Sequence, residues 1–116
     1  MRHTNLYRPI LQNIGIVQYG CYDIVMATQT RKLERIVKAF ANHHRLDILY
    51  LLATNSELSV EEIATELKMP YNNTSDHIRK LAIGGLVLKR YEGVEVRHKL
   101  TDRAQHVLRF GKSLGI

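Results

Sequence analysis

Ser59 and Glu62 stand three residues apart at the head of an apolar-periodic run, with Leu58 and Ile63 just outside them. This is the pattern of a capping box with a hydrophobic staple, in which each partner satisfies a backbone N–H that the first helical turn leaves unpaired. A helix has to begin here, burying Val60, Ile63, Ala64 and Leu67. Lys68-Met69-Pro70 interrupts it after two turns. Proline suits the first turn of a following helix, where its missing N–H costs nothing. In that following helix, over residues 71–83, Thr74, Ile78 and Leu81 recur at i, i+4, i+7 and pack inward. At about 100° per residue, Asn72, Asp76 and Arg79 point the opposite way, flanked by Asn73, Ser75 and Lys80. Gly84-Gly85 stops the helix. Leu86–Tyr91 and Val94–Leu100 then read as two strands, with Glu92-Gly93 at the turn. In the second strand Val94, Val96, His98 and Leu100 face one way and Glu95, Arg97 and Lys99 the other.

Three more helices surround this unit. Arg31–Ala41 carries Leu33, Ile36, Val37 and Phe40 at i, i+3, i+4, i+7, a one-faced amphipathic pattern. Asn42 can cap the next helix, His43–Ala53, which is expected to bury Leu46, Leu49, Leu52 and Ala53, with Ile48 and Tyr50 alongside. Thr101 caps the last helix, whose stripe is Ala104, Val107, Leu108 and Gly111. Residues 1–25 are the least legible. Leu11–Val17 suits a short strand, and Gly15 and Gly20 should break any helix there. Met26, followed by Ala27-Thr28-Gln29-Thr30 and a clean helix, suits a translation start, which would leave residues 1–25 without a structural role. The rival reading makes them an ordered strand or dimer arm. The expected division is thus 1–25 as an N-terminal segment and 26–116 as one mostly helical domain. Five helices and a two-stranded β-hairpin in this order are the layout of a winged helix-turn-helix, a fold that most often places one helix in a DNA major groove.

The charge pattern points the same way. The 116 residues carry 17 basic and 11 acidic side chains, a net +6. Residues 57–66 hold Glu57, Glu61, Glu62 and Glu66 and no base, whereas residues 68–112 hold ten bases against Asp76, Glu92, Glu95 and Asp102. The positive surplus therefore lies on the second helix of the pair, the hairpin and the tail, where a nucleic-acid footprint would sit. A single cysteine, Cys21, excludes an intramolecular disulfide and fits a reducing cytoplasm. Gln12, Asn13, Gln18 and Asp23 interrupt the apolar-leaning residues 10–26, so neither a membrane span nor a signal peptide is expected.

From about residue 38 to 110 the chain resembles the ArsR/SmtB-type family of winged-helix transcriptional regulators. The likeness is carried by Ala39-Phe40-Ala41-Asn42-His43-His44-Arg45-Leu46-Asp47-Ile48-Leu49, by Glu57-Leu58-Ser59-Val60 and by Ser75-Asp76-His77-Ile78-Arg79-Lys80-Leu81. Gly85-Leu86-Val87 and Glu92-Gly93 extend it. The resemblance implies a homodimer formed through the first and last helices, which binds double-stranded DNA and represses promoters until an effector lowers its affinity. It departs from metal-sensing relatives. The Cys-x-Cys positions of the arsenic type hold Ser59 and Glu61, so no soft-metal site is available. Of the ligand pairs of the zinc type, only Asp102 and His106 are present. A non-metal member with an unknown or absent effector is implied, with no cofactor.

The DNA-binding candidates are Asn72, Asn73, Ser75, Asp76, Arg79 and Lys80 on the outward helix face, and Lys89, Arg90, Arg97 and Lys99 on the hairpin. Asparagine can bond adenine through two major-groove atoms, and arginine can read guanine; one of Asn72 and Asn73 is instead expected to cap the helix start. Asp76 either accepts from a cytosine amino group or, the favoured reading, pairs with Arg79 or Lys80. The hairpin cations suit phosphate or minor-groove contacts, which position a protein without reading sequence. Tyr71 is expected at the domain edge and His77 in a structural bond. His43 and His44 are adjacent and cannot both face one ion, and a site at Asp102 and His106 would need a second chain. No Ser-His-Asp arrangement, glycine-rich phosphate loop or carboxylate pair suggests an enzyme. The alternative outside DNA binding is a winged helix used as a protein–protein module on an acidic partner. A third is a sensor with its ligand between the first and last helices.

Overall fold

The computed structural model describes the backbone of residues 18–116 and the side chains from Met26 onward. The chain divides into two compact units, Met1–Arg35 and Ile36–Ile116. Its described elements are α1 (Gln18–Phe40), α2 (His43–Thr54), α3 (Val60–Leu67), α4 (Tyr71–Ile83), β1 (Val87–Glu92), β2 (Glu95–Leu100) and α5 (Asp102–Ser113). Five described helices and an antiparallel hairpin make a winged helix-turn-helix.

Helix α1 is longer than expected. It starts at Gln18, so Gly20 lies within it and the boundary expected at Met26 falls inside a continuous helix. A glycine inside a helix costs about 1 kcal/mol, which is a penalty and not a prohibition. The strand expected over Leu11–Val17 lies outside the described residues. In α1, Ile36 and Phe40 are half-buried, whereas Leu33 is 60% and Val37 39% exposed, so its apolar stripe is only partly covered.

The core of the second unit is built from Ile48, Leu49, Leu52, Ile63, Ile78, Leu81, Leu86, Val87, Leu100 and Ala104. Asn42 caps α2, its side-chain oxygen accepting from the N–H groups of His44 and Arg45. Ile48, expected alongside, is at the centre of the core, while Ala53 is exposed, one step of rotation away from the expected face. The capping box of α3 is complete: the Ser59 N–H donates to Glu62 at 2.9 Å and the Glu62 N–H donates to the Ser59 hydroxyl at 3.2 Å.

The turn between α3 and α4 is set by Lys68, held in the left-handed region at φ 54°. That conformation lets the Lys68 and Met69 N–H groups reach back to the carbonyls of Thr65 and Ala64. At the far end of α4 the same wrap recurs. Gly85 N–H donates to the Ala82 carbonyl and Leu86 N–H to that of Leu81, and buried Leu81 and Leu86 supply the apolar contact that accompanies such a stop. Gly84 is needed for a different reason. A Cβ built on it would lie 2.4 Å from the Ala39 Cβ, so only glycine lets the end of α1 approach so closely. Gly84→Ala is therefore expected to destabilise the fold by about 2 kcal/mol through overpacking, read from chemical denaturation.

The hairpin register pairs Val87 with Leu100 at the base and Glu92 with Glu95 at the tip. The two turn residues are thus Gly93 and Val94, not Glu92 and Gly93. Gly93 takes φ 63° at the first turn position, the position where such two-residue turns demand glycine. Val94 consequently projects from the tip, fully exposed. Leu58 adds a single bridge to β2 beside His98. The Leu58 carbonyl accepts twice from His98, from its backbone N–H at 3.0 Å and its Nδ1 at 2.8 Å. No helix among the described residues is long and apolar enough to cross a membrane.

Candidate nucleic-acid interface

Helix α4 is anchored by buried Thr74, Ile78 and Leu81, with the Thr74 hydroxyl donating to the Pro70 carbonyl at 2.9 Å. Everything opposite those three residues faces outward. Asn72, Asn73, Arg79 and Lys80 are exposed, and Ser75 and Asp76 are partly so. Pro70 occupies the cap position and no side chain caps the helix, so neither asparagine has the capping role expected of one of them. Proline at the cap brings its own fixed backbone angle, so the chain turns into α4 without a side-chain acceptor.

Asp76 forms the intrahelical pairs. Arg79 Nη2 donates to its Oδ1, and Lys80 Nζ lies 3.2 Å from its Oδ2. The hydrogen bonds from Arg79, and next from Lys80, hold the Asp76 carboxyl below its usual range. On the flank of α4, Arg45 Nη1 donates to His77 Nδ1 at 3.2 Å, tying α4 to α2. Burial, then the Arg45 guanidinium and His44, depress the His77 pKa and favour the neutral ring that this bond requires. Arg45 had no local sequence signal, because its partner is 32 positions away.

The hairpin separates its cations by use. Arg90 lies directly opposite Arg97 in the ladder. Like charges there repel, and carboxylates from the chain before α3, from α3 and from the hairpin itself offset the repulsion. Arg90 Nε donates to Glu57 at 2.8 Å. Arg97 donates to Glu95 at 2.6 Å, to Glu62 at 3.3 Å and to the Glu57 carbonyl at 3.0 Å. Glu57 adopts φ 66° at this junction. Arg90 and Arg97 therefore brace the wing against the start of α3. Lys89 and Lys99 are exposed, and no carboxylate among the described residues pairs with either. The structure thus brings the six α4 candidates onto one outward surface, leaves Lys89 and Lys99 open on the wing, and engages Arg90 and Arg97 elsewhere. Glu57 was not expected as a partner; the pairing spans 33 residues of sequence and leaves no periodic trace.

His98 is buried, as its inward position in β2 demands. His106 Nδ1 accepts from Arg109 at 2.8 Å. Among the described residues no three His, Cys, Asp or Glu side chains cluster as metal ligands would.

A winged helix-turn-helix with a polar outward face on its second helix is the architecture most often used to place a helix in a DNA major groove. A family model described as a helix-turn-helix domain matches residues 40–90. An uncharacterized HTH-type transcriptional regulator of Methanocaldococcus jannaschii is 37% identical over 79 residues, 67% of this chain and 89% of that protein. The transcriptional activator HlyU of Vibrio cholerae is 37% identical over 77 residues, 66% of this chain and 70% of HlyU. Among solved structures, one is the homodimeric winged helix-turn-helix DNA-binding domain of a possible ArsR-family transcriptional regulator from Mycobacterium bovis. It superposes with a TM-score of 0.70 at 32% identity, covering 77% of this chain and 82% of that one. The chain belongs to the ArsR-type family of winged helix-turn-helix transcriptional regulators. These relatives are named as regulators and not as enzymes.

Proposed function

We propose that this chain is a sequence-specific duplex-DNA-binding regulator that acts as a homodimer and represses the promoters it occupies. The observation that carries the reading is the outward face of α4, where Asn72, Asn73, Ser75, Asp76, Arg79 and Lys80 stand together on a helix anchored by its buried inner face. In this reading α4 lies in the major groove, and Lys89 and Lys99 on the wing meet the backbone or the minor groove. Two α4 helices then enter successive major grooves, so the site is an imperfect palindrome with half-sites about one helical turn apart. Selection from a randomised duplex library tests this. Enrichment of such a palindrome supports the reading, and enrichment of nothing beyond base composition overturns it. The regulatory sign is tested by a reporter behind the gene's own upstream region: repression predicts that deleting the regulator raises transcription, and a fall would make it an activator, as HlyU is named.

Self-association is proposed through the first and last helices. Val37 on α1 and Phe110 on α5 keep much of their apolar surface exposed, at 39% and 55%, and Leu114 just beyond α5 is 58% exposed. Exposed apolar side chains that join into one patch mark an interaction surface, and a dimer seam through these two helices would cover all three. Phe110→Glu is expected to shift light-scattering mass from dimer to monomer and to weaken palindrome binding by about tenfold. An unchanged dimer would place the interface on another surface.

A further inference from the structure

The outward face of α4 carries three uncharged polar residues, Asn72, Asn73 and Ser75, and its two cations share one anion. Asp76 Oδ1 takes Arg79 Nη2 and Asp76 Oδ2 takes Lys80 Nζ, with all three side chains between 43% and 57% exposed. A carboxylate at the centre of a surface that must approach phosphates repels them, and it screens the two cations that would attract them. Solvent-exposed ion pairs of this kind contribute little to the stability of a helix. Stability is therefore a weak reason for the carboxylate to stand there.

Major-groove chemistry supplies a stronger one. Guanine shows only acceptors there, thymine an acceptor and a methyl group, and adenine an amino donor beside an N7 acceptor, whereas cytosine offers only an amino donor. A carboxylate, which can only accept, is repelled by guanine and thymine edges and satisfied by cytosine. We propose that Asp76 is the specificity-determining residue of this interface, suppressing binding to non-cognate duplex and selecting a G·C pair in each half-site; this rests on the DNA-reading function proposed above. On the matching site, Oδ2 exchanges Lys80 for a cytosine N4–H and Lys80 turns to a phosphate. Oδ1 keeps Arg79 Nη2, and this anchored guanidinium presents its remaining N–H groups to guanine N7 and O6. Against guanine or thymine the exchange fails. Against adenine the carboxylate meets an N6–H donor but also the neighbouring N7 acceptor, and the partner thymine gives Arg79 no paired acceptors, so the complex is weaker than on a G·C pair.

The test follows from that asymmetry. The wild-type chain first selects its duplex from a random library. Fluorescence anisotropy then compares the selected duplex, variants with each G·C pair replaced, and a scrambled duplex, for wild type, Asp76→Asn and Asp76→Glu. Asp76→Asn is expected to bind the scrambled duplex about tenfold more tightly, with a salt slope steeper by roughly one. Its preference at one G·C pair per half-site should fall about tenfold. Asp76→Glu keeps the charge but displaces it, so it should lose the base preference while its scrambled-duplex affinity stays within about twofold of wild type. A wild-type preference accompanied by unchanged scrambled-duplex affinity in Asp76→Asn overturns the proposal alone. Wild type with no preferred duplex removes the DNA-reading function, and the proposal with it.

Discussion

Replacing His98 by alanine is expected to destabilise the second unit by about 3 kcal/mol, the sum of a lost core side chain and one lost hydrogen bond. The ring is 1% exposed and lies where α2, the hairpin and the Leu58 bridge meet. Its Nδ1–H donates to the Leu58 carbonyl, which keeps a second bond from the His98 backbone in the variant, so no carbonyl is orphaned. The loss is therefore chiefly the cavity. His98→Phe, which fills the space without the hydrogen bond, should cost about half as much. Equal losses for both variants in urea denaturation would shift the weight from packing to the bond.

The same residue makes stability depend on pH. Burial pushes the His98 pKa below the ordinary 6.5, against the opposing pull of the Leu58 carbonyl. Between the folded value and 6.5 the unfolded chain holds the extra proton, so stability rises with pH through that window and is complete above it. His77, depressed by burial and Arg45, adds a contribution of the same sign. Wild type should lose stability on acidification from pH 7 to pH 5, on the order of 1 kcal/mol. His98→Phe should show a shallower fall.

Arg79→Ala is expected to weaken the selected duplex by about 30-fold and the scrambled duplex by much less, as the loss of a base contact would. Lys89→Ala and Lys99→Ala should weaken both duplexes alike, since a phosphate contact carries no sequence. Arg90 differs from these lysines despite equal charge. Its guanidinium is held by Glu57, so Arg90→Ala should leave DNA affinity within about twofold and lower wing stability instead. A loss of DNA affinity as large for Arg90→Ala as for Lys89→Ala would show that the Glu57 pair opens on the duplex.

The parts of this molecule that were legible in the sequence are those governed by neighbours. Ser59 and Glu62 announced the start of α3, Thr101 that of α5, and Gly84-Gly85 the end of α4, because a cap is a contact between residues three or four apart. Which residues of α4 face outward followed from periodicity alone. Where local readings failed, the reasons were local too. Gly20 is carried within α1 because one glycine is a small penalty in a 23-residue helix, and the hairpin turn sits one residue later because Gly93 occupies its first position. The availability of the charges was not legible. Glu57 meets Arg90 across 33 residues and Arg97 across 40, and Arg45 meets His77 across 32. Such pairs exist only once the wing folds against α3 and α2 against α4. A count of basic residues on the hairpin therefore overstates the cations open to a phosphate.

The most direct test of the central claim is anisotropy of the full chain against the DNA upstream of its own gene, beside a scrambled duplex, across a salt series. A sequence-reading regulator predicts tighter binding to the upstream duplex at every salt concentration, by at least about a hundredfold at physiological ionic strength, with affinity falling steeply as salt rises. Weak binding, equal for both duplexes, would contradict the claim and leave the domain as a nonspecific DNA binder or a surface for docking another protein.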